Sequence, residues 1–303
     1  MNINNSILAT LAYFDVFDYP LTRDEIFLFF GSKYDQSSVE PSLAELIRSR
    51  KIYVFDNLYT LKNNPELINR RKKGNILADE MLKTARKISR ILMRFPYVRG
   101  VAVSGSLSKN YTDENSDIDL FIITASNRLW IARTIMHLFK KLTFLVNKQD
   151  YFCMNYYIDE KGLEIVEKNI YTATEIVTLI PMEGNGTFDE FFKANAWTAE
   201  YLPNNSTQIS SGQNRKASWF KKFIEFTLNN PLGDRIDNKL RDITSKRWEK
   251  KTQLNKLNMR GIVMSMKANK HYSKPDPLNY QSKLIRVYED KVSQLTHEAI
   301  SVI

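Results

Sequence analysis

"VAVSGSLSKNYTDENSDIDLFII", residues 101–123, decides how this chain folds. An apolar run ends at Gly105-Ser106. A polar loop follows, and a second apolar run carries Asp117 and Asp119 one residue apart. Side chains alternate along a strand, so the two aspartates share one face while Ile118 and Leu120 share the other. Carboxylates are depleted in strands and costly to bury. Two held this close repel each other unless a cation lies between them, and hard oxygen ligands suit Mg²⁺. Gly105-Ser106 closes its strand at the expected start of a helix, where backbone N–H groups favour phosphate and glycine permits close approach. One strand end thus offers a phosphate cradle and the next a metal clamp, the parts needed for phosphoryl or nucleotidyl transfer.

The rest of the chain bounds this reading. Its 303 residues allow two or three domains. No N-terminal stretch combines a basic region, an apolar run and a cleavage site. The longest apolar-rich window, Leu129 to Val146, is broken by Arg133, His137, Lys140 and Lys141, so no membrane span and no membrane partner are expected. A single cysteine, Cys153, excludes an internal disulfide and a cysteine-rich zinc site, and a cytoplasmic protein is expected. The net charge of +10 is uneven: residues 205–303 hold 19 Lys/Arg against 9 Asp/Glu, whereas residues 1–204 hold 25 of each. The basic C-terminal third fits either an anionic acceptor, such as phosphate groups or RNA, or a set of solvated Lys-rich helix faces.

Three units are read along the chain, with boundaries at 1–64, 65–165 and 166–303. In the first, apolar stripes and a Thr22/Glu25 capping-box spacing predict three helices. "KIYVFDNLYTLK" then predicts a hairpin turning at Asp56-Asn57. The order resembles a winged helix-turn-helix domain. Residues 1–62 carry 6 basic and 8 acidic side chains, and the third helix holds Glu40 and Glu45. That sign disfavours duplex DNA and favours protein contact or self-association. A long helix over 65–95 begins with the basic run Arg70 to Lys73. Strands are expected at "VRGVAVSG", "DYFCMNYYID" and "LEIV", a helix over 127–146, and helices alone after residue 166.

Gly105-Ser106, ten residues, then Asp117-Ile118-Asp119-Leu120, each on an apolar strand and with Ser116 before the first aspartate, resembles the signature of the DNA polymerase beta-like nucleotidyltransferase superfamily. The resemblance covers residues 97–160. It implies an α+β fold: a small mixed-sheet nucleotidyltransferase core, here flanked by the N-terminal winged-helix-like unit and a C-terminal helical region. It implies that Gly105 and Ser106 bind the triphosphate of an NTP and that Asp117 and Asp119 hold Mg²⁺ against it. Lys109 falls where many members place a cation that reaches phosphate, and Asn110 where they often have glycine.

Members usually carry a third acid on the next strand, which completes the metal site and can accept the proton of the attacking hydroxyl. On "DYFCMNYYID" the parity puts Tyr151, Cys153, Asn155 and Tyr157 on the polar face and Phe152, Met154, Tyr156 and Ile158 on the apolar one. The mid-strand polar residue is therefore Asn155, which can donate a carbonyl oxygen but cannot act as a base. Asp150 has the wrong parity and Asp159 lies at the far end; a bulge would be needed to bring in either. His137 reads as a core or surface residue in preference to a catalytic one, Cys153 as a buried thiol, Trp197 and Tyr201 as a packed helix pair, and "MKANKHYSKPDP" as either a solvated loop or a contact for an anionic acceptor.

These features leave three functions open. The chain transfers NMP from an NTP to a hydroxyl of a small molecule, protein or RNA end. Or it is a degenerate nucleotide sensor signalling through the winged-helix-like unit. Or it is a nucleic-acid-binding regulator.

Overall fold

The computed structural model describes residues 2–114, 116–143, 153–184, 186–205, 218–257, 265–275 and 280–296. Helices α1 (Ile3–Asp15), α2 (Arg23–Leu28) and α3 (Val39–Arg48) precede a hairpin of β1 (Tyr53–Phe55) and β2 (Leu58–Thr60). The capping box is present: Glu25 N–H donates to Thr22 Oγ1 at 3.2 Å and Thr22 N–H to Glu25 Oε2 at 2.7 Å. Asp56 and Asn57 turn the hairpin at φ 49° and 62°, the left-handed values that Asp and Asn tolerate best among non-glycine residues. Ile7, Leu11, Ile26, Leu43 and Ile52 fill the core of this unit.

Helix α4 (Glu66–Leu92) leads into β3 (Val98–Val103), and β4 (Asp119–Thr124), α5 (Leu129–Thr143) and β5 (Cys153–Asp159) follow. Then come α6 (Ile170–Val177), β6 (Ile180–Glu183), α7 (Thr187–Ala194) and α8 (Thr198–Tyr201). The C-terminal third adds α9 (Trp219–Leu228), α10 (Pro231–Gln253), β7 (Met266–Ala268), β8 (Tyr272–Pro275) and α11 (Tyr280–Thr296). Six strands form one mixed sheet in the order β6-β3-β4-β5-β8-β7, with β4 and β5 parallel and the other pairs antiparallel. One face buries Val101, Leu120, Ile122 and Tyr157 against α4 and α5. The opposite face buries Ala102, Phe121, Ile123 and Ile158 against α6 and α7.

The structure corrects the sequence reading in three places. The sheet draws β6, β7 and β8 from beyond residue 165, so the C-terminal region is not helical throughout. Residues 163–166 form no strand. Tyr272 pairs with Ile158 instead and covers what would be an open edge of β5. After Gly105-Ser106 the chain makes a single 3₁₀ turn, Leu107–Lys109, in place of a longer helix.

Basic residues of α4 tie the N-terminal unit to the core. Arg71 forks onto both carboxylate oxygens of Glu25 at 2.8 Å and lies over the Tyr19 ring. Arg70 donates to the carbonyls of Phe17 and Asp18 at 3.1 Å, while Lys72 meets Asp56 at 2.6 Å and Lys73 meets Glu114 at 2.7 Å. The run Arg70 to Lys73 is thus spent on internal contacts. Helix α11 packs on α1, with the Tyr13 and Tyr288 rings 5.7 Å apart. Its first turn reaches the core, where Gln281 Nε2 donates to Thr172 Oγ1 at 3.1 Å.

Candidate active site

Gly105 adopts φ +69°, a left-handed conformation that glycine enters without steric cost. A Cβ built there would lie 2.7 Å from Asp119 Oδ2, so a side chain at 105 and the carboxylate at 119 cannot share this space. Ser106 is exposed and opens the 3₁₀ turn with no side-chain cap. Asn110 closes that turn at φ 55°, where asparagine replaces the glycine of the related pattern with little strain. Asp117 precedes β4 and Asp119 begins it; both are half-buried, while Ile118 and Leu120 between and beyond them are fully buried.

A β-bulge decides what β5 presents. Leu120 pairs with Met154 but Phe121 pairs with Tyr156, which leaves Asn155 as the extra residue. Two successive side chains, Asn155 and Tyr156, therefore face the same cavity. The parity beyond the bulge is reversed from the sequence reading: Tyr157 is buried against α5, and Tyr156 lines the site. Asn155 Nδ2 donates to Asp119 Oδ1, and Cys153 Sγ donates to Asn155 Oδ1 at 3.1 Å, so the half-buried Cys153 stands beside the site. Asp159 is fully buried and far from this chemistry. It accepts from the Asn127 and Lys161 amides at 2.8 and 3.0 Å and faces His271 Nδ1 at 3.0 Å. Asp150 lies outside the described residues.

The cavity is about 280 Å³. Gly105, Asp119 and Asn155 line it; Ser106, Asp117 and Lys109 stand outside the lining. Further lining comes from residues that sequence reasoning missed, Tyr171, Thr172 and Glu175 on α6 and Tyr280 and Gln281 on α11, and from Lys274 on β8, within the segment read as either a solvated loop or a contact for an anionic acceptor. Burial, with Glu175 and Asp119 among the nearby charges, holds the Tyr171 hydroxyl well above its ordinary pKa, so it stays a donor. Lys109 Nζ meets Glu175 Oε1 at 2.7 Å and the Gly105 carbonyl at 3.1 Å. Lys274 Nζ meets Glu167 at 2.6 Å and lies over the Tyr156 ring. Both lysines near the cavity are therefore matched by glutamates. The hydroxyl of Tyr19, from the N-terminal unit, donates to the Lys109 carbonyl at 2.9 Å.

Two carboxylates are a fit for Mg²⁺, which is commonly held by one or two protein carboxylates together with substrate phosphates and water. Among the described residues no group of three or more His, Cys, Asp or Glu is gathered closely enough to hold a metal ion on protein ligands alone. Asp119 Oδ2 takes up the space that the missing Cβ of Gly105 leaves, so the turn and this carboxylate stand side by side, as a site shared between metal and phosphate requires.

Among the described residues no helix is long and apolar enough to cross a membrane. No curated protein and no solved structure matched the chain. Residues 85–181 match the family model described as "Nucleotidyltransferase domain", a span that holds β3, β4, β5, the Gly105 turn and α6. On that match the chain carries a nucleotidyltransferase domain, consistent with the DNA polymerase beta-like superfamily, and a general nucleotidyl transfer activity is supported.

Proposed function

We propose that this protein is a Mg²⁺-dependent nucleotidyltransferase that moves NMP from an NTP to a hydroxyl of an acceptor. The observation that carries this reading is the packing of Asp119 Oδ2 into the space left by Gly105, on the wall of a cavity of about 280 Å³. In this reading the Gly105-Ser106 turn receives the triphosphate through backbone N–H groups and the Ser106 hydroxyl. Asp117 and Asp119 hold Mg²⁺, which when bound neutralises charge on the phosphates. Lys109 orders the turn through the Gly105 carbonyl and is the cation assigned to the triphosphate in this reading. Asn155 orients Asp119 and takes no proton. Glu175, the other carboxylate on the cavity wall, receives the proton of the attacking hydroxyl as its oxygen bonds to the α-phosphorus and pyrophosphate leaves.

Three units fit this reading: an N-terminal winged-helix-like module to about residue 64, the nucleotidyltransferase core, and a basic C-terminal region that lends β7 and β8 to the sheet. The N-terminal module contacts other protein surfaces in preference to duplex DNA, because its own charge is net negative and the adjoining Arg70–Lys73 run is already engaged.

A second reading rests on Asn155: a nucleotide sensor that binds and does not turn over. Pyrophosphate release from each NTP with Mg²⁺, measured beside calorimetric binding, separates the two. Release that Asp119→Asn lowers by orders of magnitude supports transfer. Mg²⁺-dependent binding without release supports the sensor. Binding that is unchanged in Asp119→Asn rejects both.

A further inference from the structure

Helix α9 is amphipathic the wrong way round for a helix on a water-facing surface. Its inward side carries charge. Lys221 is 6% exposed, and its Nζ donates to the carbonyls of Met93 at 3.1 Å and Val98 at 2.6 Å. Glu225 accepts from the Tyr97 amide at 2.7 Å and from Arg99 at 2.8 Å. Ser218 caps the helix and donates to the Arg94 carbonyl at 3.1 Å. The helix is thus firmly docked by polar contacts, with Ile224 and Leu228 packed beside them. Its outward side is aromatic: Trp219 is 79% exposed, Phe220 41%, Phe223 58% and Phe226 86%. Positions 219, 223 and 226 fall on one stripe of a 3.6-residue helix. Ordinary surface helices place such residues inward, and an exposed cluster of this kind marks a contact surface.

The charges around the stripe choose its partner. Lys222 on α9 and Arg94 at the end of α4 are exposed, and their side chains have no ion pair or hydrogen bond among the described residues. The neighbouring acids are already taken, Glu225 by Arg99 and Asp234 by Arg128. In sequence, residues 205–224 hold four Lys/Arg and no Asp/Glu. A second copy packed face to face would bring these cations against their own counterparts with no carboxylate to meet them. The high exposure of Trp219 and Phe226 makes the stripe a projecting face, unlike the recessed groove that receives a peptide. A projecting row of Trp and Phe flanked by cations fits the boundary of an anionic lipid bilayer, where aromatic rings sit among headgroups.

We propose that α9 docks this protein on the surface of anionic membranes, with Trp219, Phe223 and Phe226 inserted at the headgroup level and Lys222 and Arg94 against lipid phosphates. The expectation of no membrane partner rests on the lack of a spanning segment, whereas a ten-residue amphipathic helix lies in the plane of the interface.

The test is co-sedimentation of the full-length protein with phosphatidylcholine vesicles with and without roughly 30% phosphatidylglycerol. Binding to the anionic vesicles and little to the neutral ones is expected, weakening as salt rises. Trp219→Ala/Phe223→Ala/Phe226→Ala lowers partition at least about tenfold, because three interfacial rings are lost. Its melting temperature matches that of the wild type, since those rings are exposed. Lys222→Glu/Arg94→Glu lowers binding to the anionic vesicles alone. No sedimentation with anionic vesicles, or partition unchanged in the triple variant, overturns the proposal. So does self-association of the vesicle-free protein that the triple variant abolishes, which would assign the stripe to a second copy.

Discussion

The side-chain amide of Asn155 donates a hydrogen bond to Asp119 Oδ1 across the parallel β4–β5 pair. The side chain beside Asp119 on β5 is therefore a neutral donor that satisfies one of its oxygens, where the resemblance to the nucleotidyltransferase pattern implies an acid. The bulge at Asn155 keeps this side chain on the cavity face next to Tyr156. The arrangement holds Asp119 in place through a neutral side chain, so Asn155 sets no second carboxylate against it.

Asn155→Asp tests that relationship. The variant loses the donor and sets a second carboxylate against Asp119, so without metal it is less stable by about 1.5–3 kcal/mol. Mg²⁺ restores most of the loss, because a cation relieves the repulsion. Thermal unfolding with and without Mg²⁺ measures both terms. Equal melting temperatures in the two conditions would place Asn155 outside the metal site.

Glu175→Gln separates proton transfer from nucleotide binding. With the base removed, turnover falls by about 10²–10⁴-fold. Lys109, released from its 2.7 Å pair with Glu175, becomes free for phosphate, so NTP affinity is unchanged or tighter. Single-turnover kinetics and calorimetry on the same preparation give the two numbers. Full turnover in this variant would remove Glu175 from the chemistry, and weaker NTP binding would make it a support for the Gly105 turn.

Glu25 and Arg71 form the main polar clamp between α2 and α4. Removing one partner strands a largely buried charge, so Glu25→Ala costs about 3–5 kcal/mol, whereas replacing both by apolar residues of similar size costs much less. Chemical denaturation of Glu25→Ala, Arg71→Met and the double variant forms the cycle. Additive losses would show that the two side chains do not stabilise each other.

The sequence was most legible where the signal is local. The alternation around Asp117-Ile118-Asp119-Leu120 and the Gly105 turn lie within one short stretch, and their burial follows from period two alone. The Thr22 capping box needs only four residues. What could not be read depends on distant partners. The bulge at Asn155 is a property of two strands, so parity counted along β5 alone puts Tyr156 and Tyr157 on the wrong faces. β7 and β8 are three and four residues long and are strands because β5 offers an edge more than a hundred residues away. Glu175 lies on an ordinary amphipathic helix, and only the packing of α6 against the sheet turns it into the cavity. Lys109 stood where a phosphate ligand is expected, and its pairing with Glu175 is equally non-local.

His137 carries a pH prediction. Burial, with Arg133, Lys140 and Lys141 around it, pushes its pKa down to about 3, and its Nε2 is buried with no hydrogen-bond partner. The Tyr157 ring packs beside it at 6.1 Å and offers no countercharge. The unfolded chain protonates this histidine near pH 6.5 and the native chain does not until about pH 3. Between those values the unfolded state binds the extra proton, so stability falls as pH drops, by up to about 1.4 kcal/mol per unit, and is flat with respect to this group above about pH 7. Carboxylates add their own loss near pH 4, so the comparison is with His137→Met, which keeps an apolar side chain of similar reach. Urea unfolding at about pH 7, 6 and 5 is expected to show a steeper decline in the wild type than in the variant. Parallel curves would mean that His137 takes up its proton as readily in the native state as in the unfolded one.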